Sequence, residues 1–212
     1  MVSTEQRTAA VILAAGKATR MGVPKVLLRD DADEYLFSYA FHAAWQGGCR
    51  PVIAVISEHS APLADDPAFS RARFVRNQCA IDGMATSLRA GVDAVPSDVS
   101  SVMILLADQP FVTSELIARL RAAHVQHPGC AVIRPVFVDV PGHPILFSSR
   151  LMKELRACQG DVGARHLLRR YEKNTLTILA PKDTRALDID TPEDFAQYKR
   201  IRASLYTDHP MD

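Results

Sequence analysis

Short runs of apolar residues alternate along this chain with longer stretches whose apolar residues recur at helical spacing. Four runs are predicted to be buried strands: residues 9–15, 52–56, 102–106 and 131–135. The intervening stretches are predicted to be helices: residues 35–46, 84–94, 114–125 and 149–157. Continuous apolar runs are typical of parallel strands that helices cover on both faces. The pattern therefore predicts an α/β fold with a doubly wound, mostly parallel open sheet in three layers.

Two segments in the second half depart from this alternation. Residues 136–147 contain two prolines and a glycine and are predicted to form a hairpin or loop over the sheet. Residues 184–190 are predicted to be a late strand, and Thr191, followed by a proline and two carboxylates, indicates the start of a helix. Because there is no repeat or linker-like stretch, we expect one domain over residues 1–212, with a core from about residue 8 to 200.

Composition limits the partners and the compartment. The formal net charge is +1, so no overall field attracts nucleic acid or an anionic membrane, and we expect neither as a partner. The four cysteines are scattered and form no C-x-x-C pair, which is typical of reduced thiols in a cytosolic protein. The apolar run at residues 9–15 is too short for a signal sequence or a membrane span. These features predict a soluble, cytoplasmic protein.

The densest group of candidate functional residues directly follows the first predicted strand. It consists of Leu13, Ala14, Ala15 and Gly16, then Arg20 and Gly22, and then Lys25. Small residues let the backbone approach a ligand and direct its N–H groups at an anion, while a guanidinium and an ammonium supply charge for phosphate oxygens. The loop lacks the patterns of a P-loop and of a dinucleotide site. The alternative is a basic surface loop that closes a strand.

Two acidic groups are candidate metal ligands. Asp108 follows the strand predicted at residues 102–106, where a carboxylate is costly to bury unless a partner such as Mg²⁺ compensates it. A turn-forming aspartate before Pro110 is the alternative. Asp188 and Asp190 would point the same way if their segment is extended.

Three weaker groups complete the candidates. Asn77 and the segment 83–91 offer an amide, a glycine before a helix, and hydroxyls that can bind a base or ribose, although helix capping explains them as well. His143 as a lone histidine is more often structural. Residues 160–165 are predicted to open a helix and to add the cation Arg165 near an anion site, unless Arg165 pairs with Asp161.

The first loop resembles the signature of the nucleotidyltransferases related to molybdenum cofactor cytidylyltransferase and guanylyltransferase. The resemblance extends from Val11 to about Tyr198, and residues 83–91 are similar to the segment G-M-S-S-S-L-R-A-G of that family, with Ala85 and Thr86 in place of two serines. It implies a Rossmann-like nucleotidyltransferase fold whose first loop binds a triphosphate.

The resemblance also implies a role for each candidate residue. Lys25, Arg20 and Asp108 would be catalytic, and Asp108 and Asp190 would hold Mg²⁺. His143 and Arg165 would bind the acceptor. The nucleotide would contact Leu13, Ala14, Ala15, Gly16, Arg20, Lys25, Asn77, Gly83, Met84 and Ser87.

The function implied is transfer of CMP from CTP to the terminal phosphate of molybdenum-loaded molybdopterin, a phosphorylated pterin, with release of pyrophosphate. A molybdenum hydroxylase would receive the product. Within the same class, the acceptor could be a sugar phosphate or another phosphorylated small molecule, and the nucleotide could be GTP. Residues 28–35 keep these alternatives open, because they replace the shorter glycine-containing turn that is usual in the family. A non-catalytic module that delivers the cofactor and a redox protein are alternatives from other classes, although no nicotinamide or flavin motif supports the latter.

Overall fold

The computed structural model describes residues 6–16, 22–161, 163–182 and 184–207. Within these residues, strands and α-helices alternate through most of the chain. The strands are β1 (Thr8–Ala14), β2 (Val52–Ile56), β3 (Ala72–Arg76), β4 (Ser101–Leu106), β5 (Val132–Phe137), β6 (Val140–Pro141), β7 (Ile145–Ser148) and β8 (Thr175–Leu179). The helices are α1 (Leu36–Gln46), α2 (Pro62–Asp65), α3 (Met84–Asp93), α4 (Ser114–Gln126), α5 (Met152–Arg156), α6 (Arg165–Arg170) and α7 (Pro192–Thr207).

The strands form one open sheet in the order β3-β2-β1-β4-β7-β5, with β6 and β8 paired to β5. The pairs β2–β3, β1–β2, β1–β4 and β5–β8 are parallel, whereas β7 is antiparallel to both β4 and β5. The predicted doubly wound, mostly parallel sheet is therefore confirmed. Because β1 to β4 are parallel, their carboxyl ends meet at one edge, the usual ligand edge of such sheets.

Apolar side chains on alternate residues of β1 enter two different cores. Ala10, Ile12 and Ala14 face the layer that contains α1 and α4. Ala9 and Val11 face the layer that contains α3, α5 and α6. This division explains the unbroken apolar run of the sequence, since both faces of the strand are covered.

The segment that we predicted to be a hairpin or loop contains a strand of the sheet. Residues 137–140 do form a hairpin, in which Val138 and Asp139 adopt positive φ angles of 42° and 69°. The chain then enters the sheet as β7, between β4 and β5, where all four residues are buried.

The prediction of a strand at residues 184–190 is wrong. This segment is irregular and lies against the loop that follows β4. The N–H of Ile189 donates to the carbonyl of Asp108 at 3.0 Å. The Ile189 side chain is fully buried in a small third core with Phe111 and Tyr198. This segment contacts a loop and α7, so its backbone is not paired with any of the described strands of the sheet.

Among the described residues, no helix is long and apolar enough to cross a membrane.

Candidate active site

Three charged side chains from distant parts of the chain meet at the carboxyl edge of the sheet. Lys25 opens a 3₁₀ turn after Pro24, Asp108 follows β4, and Asp190 directly precedes the α7 N-cap residue Thr191. The Lys25 ammonium forms ion pairs with both carboxylates, and its Nζ lies 2.7 Å from Oδ1 of Asp190. The structure thus brings together the predicted catalytic lysine and both predicted metal ligands.

Burial distinguishes the two carboxylates. The Asp108 side chain is 17% exposed and that of Asp190 is 53% exposed. Burial raises the pKa of Asp108 above its ordinary value, and the charge of Lys25 opposes this rise only in part. Burial acts to lower the pKa of Lys25, but its bonds and charge interactions with Asp108 and Asp190 outweigh burial and raise that pKa. Lys25 is therefore a cation held between two acids.

The remaining oxygen of Asp108 is not satisfied by the protein. Oδ1 is buried and has no hydrogen-bond partner among the described residues. A buried carboxylate oxygen in this condition carries a desolvation penalty. Asp188, the other acid of the late segment, accepts a hydrogen bond from Nε2 of Gln109 at 2.6 Å, and its negative charge adds to the rise in the pKa of Asp108.

Two clefts adjoin this cluster. One, of about 310 Å³, contains Lys25 and Asp108 together with predicted nucleotide residues from the end of β1 and the start of α3. The other, of about 880 Å³, extends toward the residues that follow β2 and β3. Ala15 and Gly16 line both clefts, so the described start of the predicted loop lies at their junction. Arg20 belongs to residues 17–21, which lie outside the described residues.

The amide of Asn77 is engaged in a network at the start of α3. Its Nδ2 donates to the hydroxyls of Thr86 and Ser87, each at 2.9 Å, and its Oδ1 accepts from the N–H of Cys79. Both amide protons are used, so Asn77 can offer a ligand only acceptor capacity. The Thr86 hydroxyl bonds the carbonyls of Cys79 and Gly83. Among the described residues Ser87 has no acceptor for its proton, so its hydroxyl can donate into the smaller cleft.

Only glycine fits at position 83 without strain. Its φ is +112°, and a Cβ at this position would lie 2.4 Å from Oδ1 of Asp161. The carbonyl of Gly160 accepts the N–H of Ala85, so part of the helix start is already satisfied by protein. Met84, the next residue, is largely exposed and lines the smaller cleft.

The two predicted acceptor residues lie on the α3–α6 side of the same edge. His143 precedes β7 and lines a small cavity of about 30 Å³ with Leu13 and Met84. Burial lowers its pKa to about 4, with help from the charges of Arg134 and Arg165 and opposition from Asp188. Arg165 opens α6, is exposed, and forms no ion pair with Asp161 or any other described residue.

Sequence reasoning missed one cation near this site. Arg134 lies within β5, in a run that the sequence analysis assigned to the buried sheet. Its charge acts on His143. An arginine inside an otherwise apolar strand was the available signal, because charged side chains are rarely buried without a partner.

Comparison with known proteins assigns the sequence of this chain to a family. The model of the MobA-like NTP transferase domain matches residues 10–175. The purine catabolism protein PucB of Bacillus subtilis is 31% identical, over 90% of this chain and 95% of its own length. The nicotine blue oxidoreductase of Paenarthrobacter nicotinovorans is 29% identical, over 86% of this chain and 92% of its own length.

Solved structures agree with this assignment. The crystal structure of Rv0371c from Mycobacterium tuberculosis superposes with a TM-score of 0.80 at 25% identity, over 92% of this chain and 98% of that one. A complex of Rv0371c with manganese has a TM-score of 0.74 at 24% identity, with the same coverage. From its matched sequence and its fold, the chain belongs to the MobA-like NTP transferase family and is a nucleotidyltransferase.

Proposed function

We propose that this nucleotidyltransferase transfers CMP from CTP to the terminal phosphate of a phosphorylated pterin, molybdenum-loaded molybdopterin, and releases pyrophosphate. The observation that carries the proposal is the cluster of Lys25, Asp108 and Asp190 beside a cleft at the carboxyl edge of the sheet. In phosphoryl and nucleotidyl transfer, catalysis is mostly positioning and charge neutralisation, for which an ammonium and two carboxylates are suited.

A divalent cation fits the two acids. Their carboxylate oxygens are the hard ligands that Mg²⁺ prefers, and the unpartnered Oδ1 of Asp108 is one ligand atom that the protein itself leaves unsatisfied. Asp108 and Asp190 would hold the ion, which would neutralise charge on the phosphates. The exposed Asp190 leaves this position accessible from solvent.

When the nucleotide binds, Lys25 would turn from the two carboxylates to the α-phosphate. An ammonium has three protons, and Lys25 uses two of them on the acids. The third is available to the α-phosphate, and further protons become available as the acids take up other ligands. Lys25 would stabilise the negative charge that grows on the α-phosphate, and Arg20 would bind the departing pyrophosphate.

The preference for CTP is proposed from Ala15. The resemblance assigns the Leu13-Ala14-Ala15-Gly16 form to the cytidine branch and a glycine at the third position to the guanosine branch. Ala15 borders both clefts, and its methyl group, which is 4% exposed and packs in the core beside α3, would leave less room for a base than a glycine would. A smaller ring is favoured by that restriction.

The acceptor would be held by His143 and Arg165, and a molybdenum hydroxylase would receive the product. A sugar phosphate acceptor remains the alternative within the same chemistry. All four cysteines are free thiols, which supports the proposed cytoplasmic location.

The experiment is a pyrophosphate-release assay with molybdenum-loaded molybdopterin, CTP or GTP, and Mg²⁺ or Mn²⁺. We expect pyrophosphate to be released faster from CTP, and a chelator to abolish it. Release with a sugar phosphate instead of the pterin would correct the acceptor, and a clear preference for GTP would reverse the nucleotide assignment.

The same assay tests the candidates from other classes. A delivery module would bind the pterin product without releasing pyrophosphate. The name of one relative is that of an oxidoreductase, so oxidation of a reduced nicotinamide is measured in parallel. Nicotinamide oxidation without pyrophosphate release would overturn the proposal.

A further inference from the structure

Arg134 is a partly buried cation without a partner. Its side chain projects from β5, its Nε is buried, and none of its nitrogen atoms is bonded to the residues that the structure describes. A guanidinium stays charged in proteins, so it cannot escape the penalty of burial by losing its proton. A buried guanidinium nitrogen is normally hydrogen-bonded, so the Nε of Arg134 is left without the acceptor that such an atom usually has.

The alternation of side chains along β5 places Arg134 on the face of the sheet where His143 lies. Ile133 of β5 pairs with Leu146 of the antiparallel β7. Val132 of β5 lies in the core that α3, α5 and α6 cover, so Arg134, two residues further along the strand, projects from the same face of the sheet. His143 lines a cavity with Ile145 and Phe147 of that same core. This is the face covered by α3, α5 and α6.

Around His143 the balance of charge is positive. Arg134 and Arg165 both act on the imidazole, and Asp188 is the acid that opposes them. Asp188 already accepts a hydrogen bond from Gln109, and neither arginine is paired with it. The positive charges of Arg134 and Arg165 thus both act on an imidazole that is neutral at neutral pH and can donate one hydrogen bond.

This cluster adjoins the proposed reaction site. Leu13 and Met84 border both the small cavity beside His143 and the larger cleft that contains Lys25 and Asp108. The small cavity, about 30 Å³, has the volume of one water molecule. An anion would therefore lie mainly in the larger cleft and reach His143 with one oxygen.

We propose that Arg134, with Arg165 and His143, binds the phosphate monoester of the acceptor. Two guanidinium groups match the two charges of a phosphate dianion, and their planar N–H groups suit its oxygens. They also favour loss of the second phosphate proton, whose ordinary pKa is near 6, and so keep the attacking oxygen unprotonated. The identity of the anion as the acceptor's phosphate rests on the proposed function.

The direct test is a titration of the protein with inorganic phosphate, in the presence of CTP without metal, monitored by NMR of the histidine side chains. The His143 signal is assigned from its loss in His143→Gln. We expect phosphate to shift this signal and chloride at equal ionic strength not to shift it. Arg134→Met, which keeps the length of the side chain, should weaken phosphate binding about 10- to 100-fold, as the loss of a charge-assisted hydrogen bond implies. Arg134→Lys should lie between Arg134→Met and the wild type.

Arg119→Met is the matched control, because Arg119 is an exposed residue of α4 whose ion pair is with Glu115 on the same helix. It should bind phosphate as the wild type does. Equal phosphate affinity in Arg134→Met and the wild type would overturn the proposal, as would a His143 signal that phosphate does not move.

Enzyme assays separate this proposal from the proposed function. If both hold, Arg134→Met raises the KM for the acceptor and leaves the affinity for CTP unchanged. Pyrophosphate release with a normal acceptor KM in Arg134→Met would refute the phosphate site alone. Phosphate binding that depends on Arg134, in a protein that releases no pyrophosphate, would refute the proposed function alone.

Discussion

Lys25 illustrates how much one side chain can do in this site. It forms ion pairs with two acids in the free protein, and in the proposed mechanism it binds the α-phosphate. We predict that Lys25→Met lowers turnover about 10²- to 10³-fold, the usual effect of losing one preorganised electrostatic contact. The affinity for CTP, measured by calorimetry, should change far less. A folded Lys25→Met protein with normal turnover would remove Lys25 from the mechanism.

His143 carries a pH dependence of stability whose sign follows from its surroundings. Its pKa is about 4 in the folded protein and 6.5 ordinarily. Between these values the unfolded chain binds more protons, so the free energy of unfolding decreases as pH falls from about 6.5 toward 4, by up to about 3 kcal/mol.

We therefore predict that His143→Gln has a flatter profile of melting temperature against pH across this window. His42→Gln is the control, because His42 is exposed on α1. The buried His124, whose pKa burial also lowers, contributes equally to all three proteins and cancels in the comparison. Parallel profiles for wild type and His143→Gln would show that His143 is not held neutral.

At the residue scale, the sequence predicted the candidate residues that directly follow a strand or precede a helix. It missed those whose position depends on how the strands pair or on the path of an irregular segment. Lys25 and Asp108 follow predicted strands, and Asp190 precedes a recognisable helix start, so their meeting at one edge followed from the fold class. The position of Arg134 beside His143 depends on the antiparallel insertion of β7, which the sequence did not indicate. The pairing of Asp188 with Gln109 likewise depends on the path of an irregular segment.

At the scale of elements, α3 packs directly on the sheet at Gly91, where no side chain would fit. A Cβ at Gly91 would lie 2.3 Å from Cγ1 of Val11 and 2.9 Å from Cγ2 of Val55. We predict that Gly91→Ala destabilises the protein by about 1–3 kcal/mol through overpacking, although alanine is the better helix former. Gly129→Ala is the control, because its Cβ would meet nothing within 4 Å. Chemical denaturation measures both, and equal stability of the two variants would contradict this packing.

Residues 28–35, which depart from the usual turn of the family, anchor α7. The Asp30 side chain is 2% exposed and accepts hydrogen bonds from the hydroxyls of Tyr39 and Tyr198, with Arg202 at 3.2 Å. Because α7 begins just after Asp190, this anchor also determines where one of the proposed metal ligands lies. Residues 28–35, which left the identity of the acceptor undecided in the sequence, therefore have a structural role.

We predict that Asp30→Ala costs about 3–5 kcal/mol of stability, as expected when one partner of a buried charged network is removed. It should also raise the Mg²⁺ concentration needed for half-maximal activity. Asp31→Ala breaks the neighbouring exposed ion pair with Lys199 and should change stability by less than about 1 kcal/mol. A normal Mg²⁺ requirement in a destabilised Asp30→Ala protein would show that the Asp30 network does not position the proposed metal site.

For the whole molecule, the alternation of apolar runs and helical stretches predicted the layers correctly but not every strand. The edge strands β3 and β8 were missed because they are partly exposed and therefore lack a continuous apolar run. The central strand β7 was hidden by the glycine and prolines that precede it and by its short length. In such a fold, the apolar pattern of the sequence thus predicts the buried parallel strands but not the edge strands or the inserted antiparallel strand.

In the proposed reaction, the site of Lys25, Asp108 and Asp190 transfers a nucleoside monophosphate through its α-phosphorus. The most direct measurement uses CTP labelled at the α-phosphate, with Mg²⁺ and molybdenum-loaded molybdopterin. We predict that wild-type protein moves the label into the pterin product and releases one pyrophosphate for each label transferred. Asp108→Asn, which keeps the shape of the side chain but loses its charge, should remain folded and transfer no label. Equal label transfer by Asp108→Asn, or pyrophosphate release without any labelled product, would show that this site does not carry out the proposed transfer.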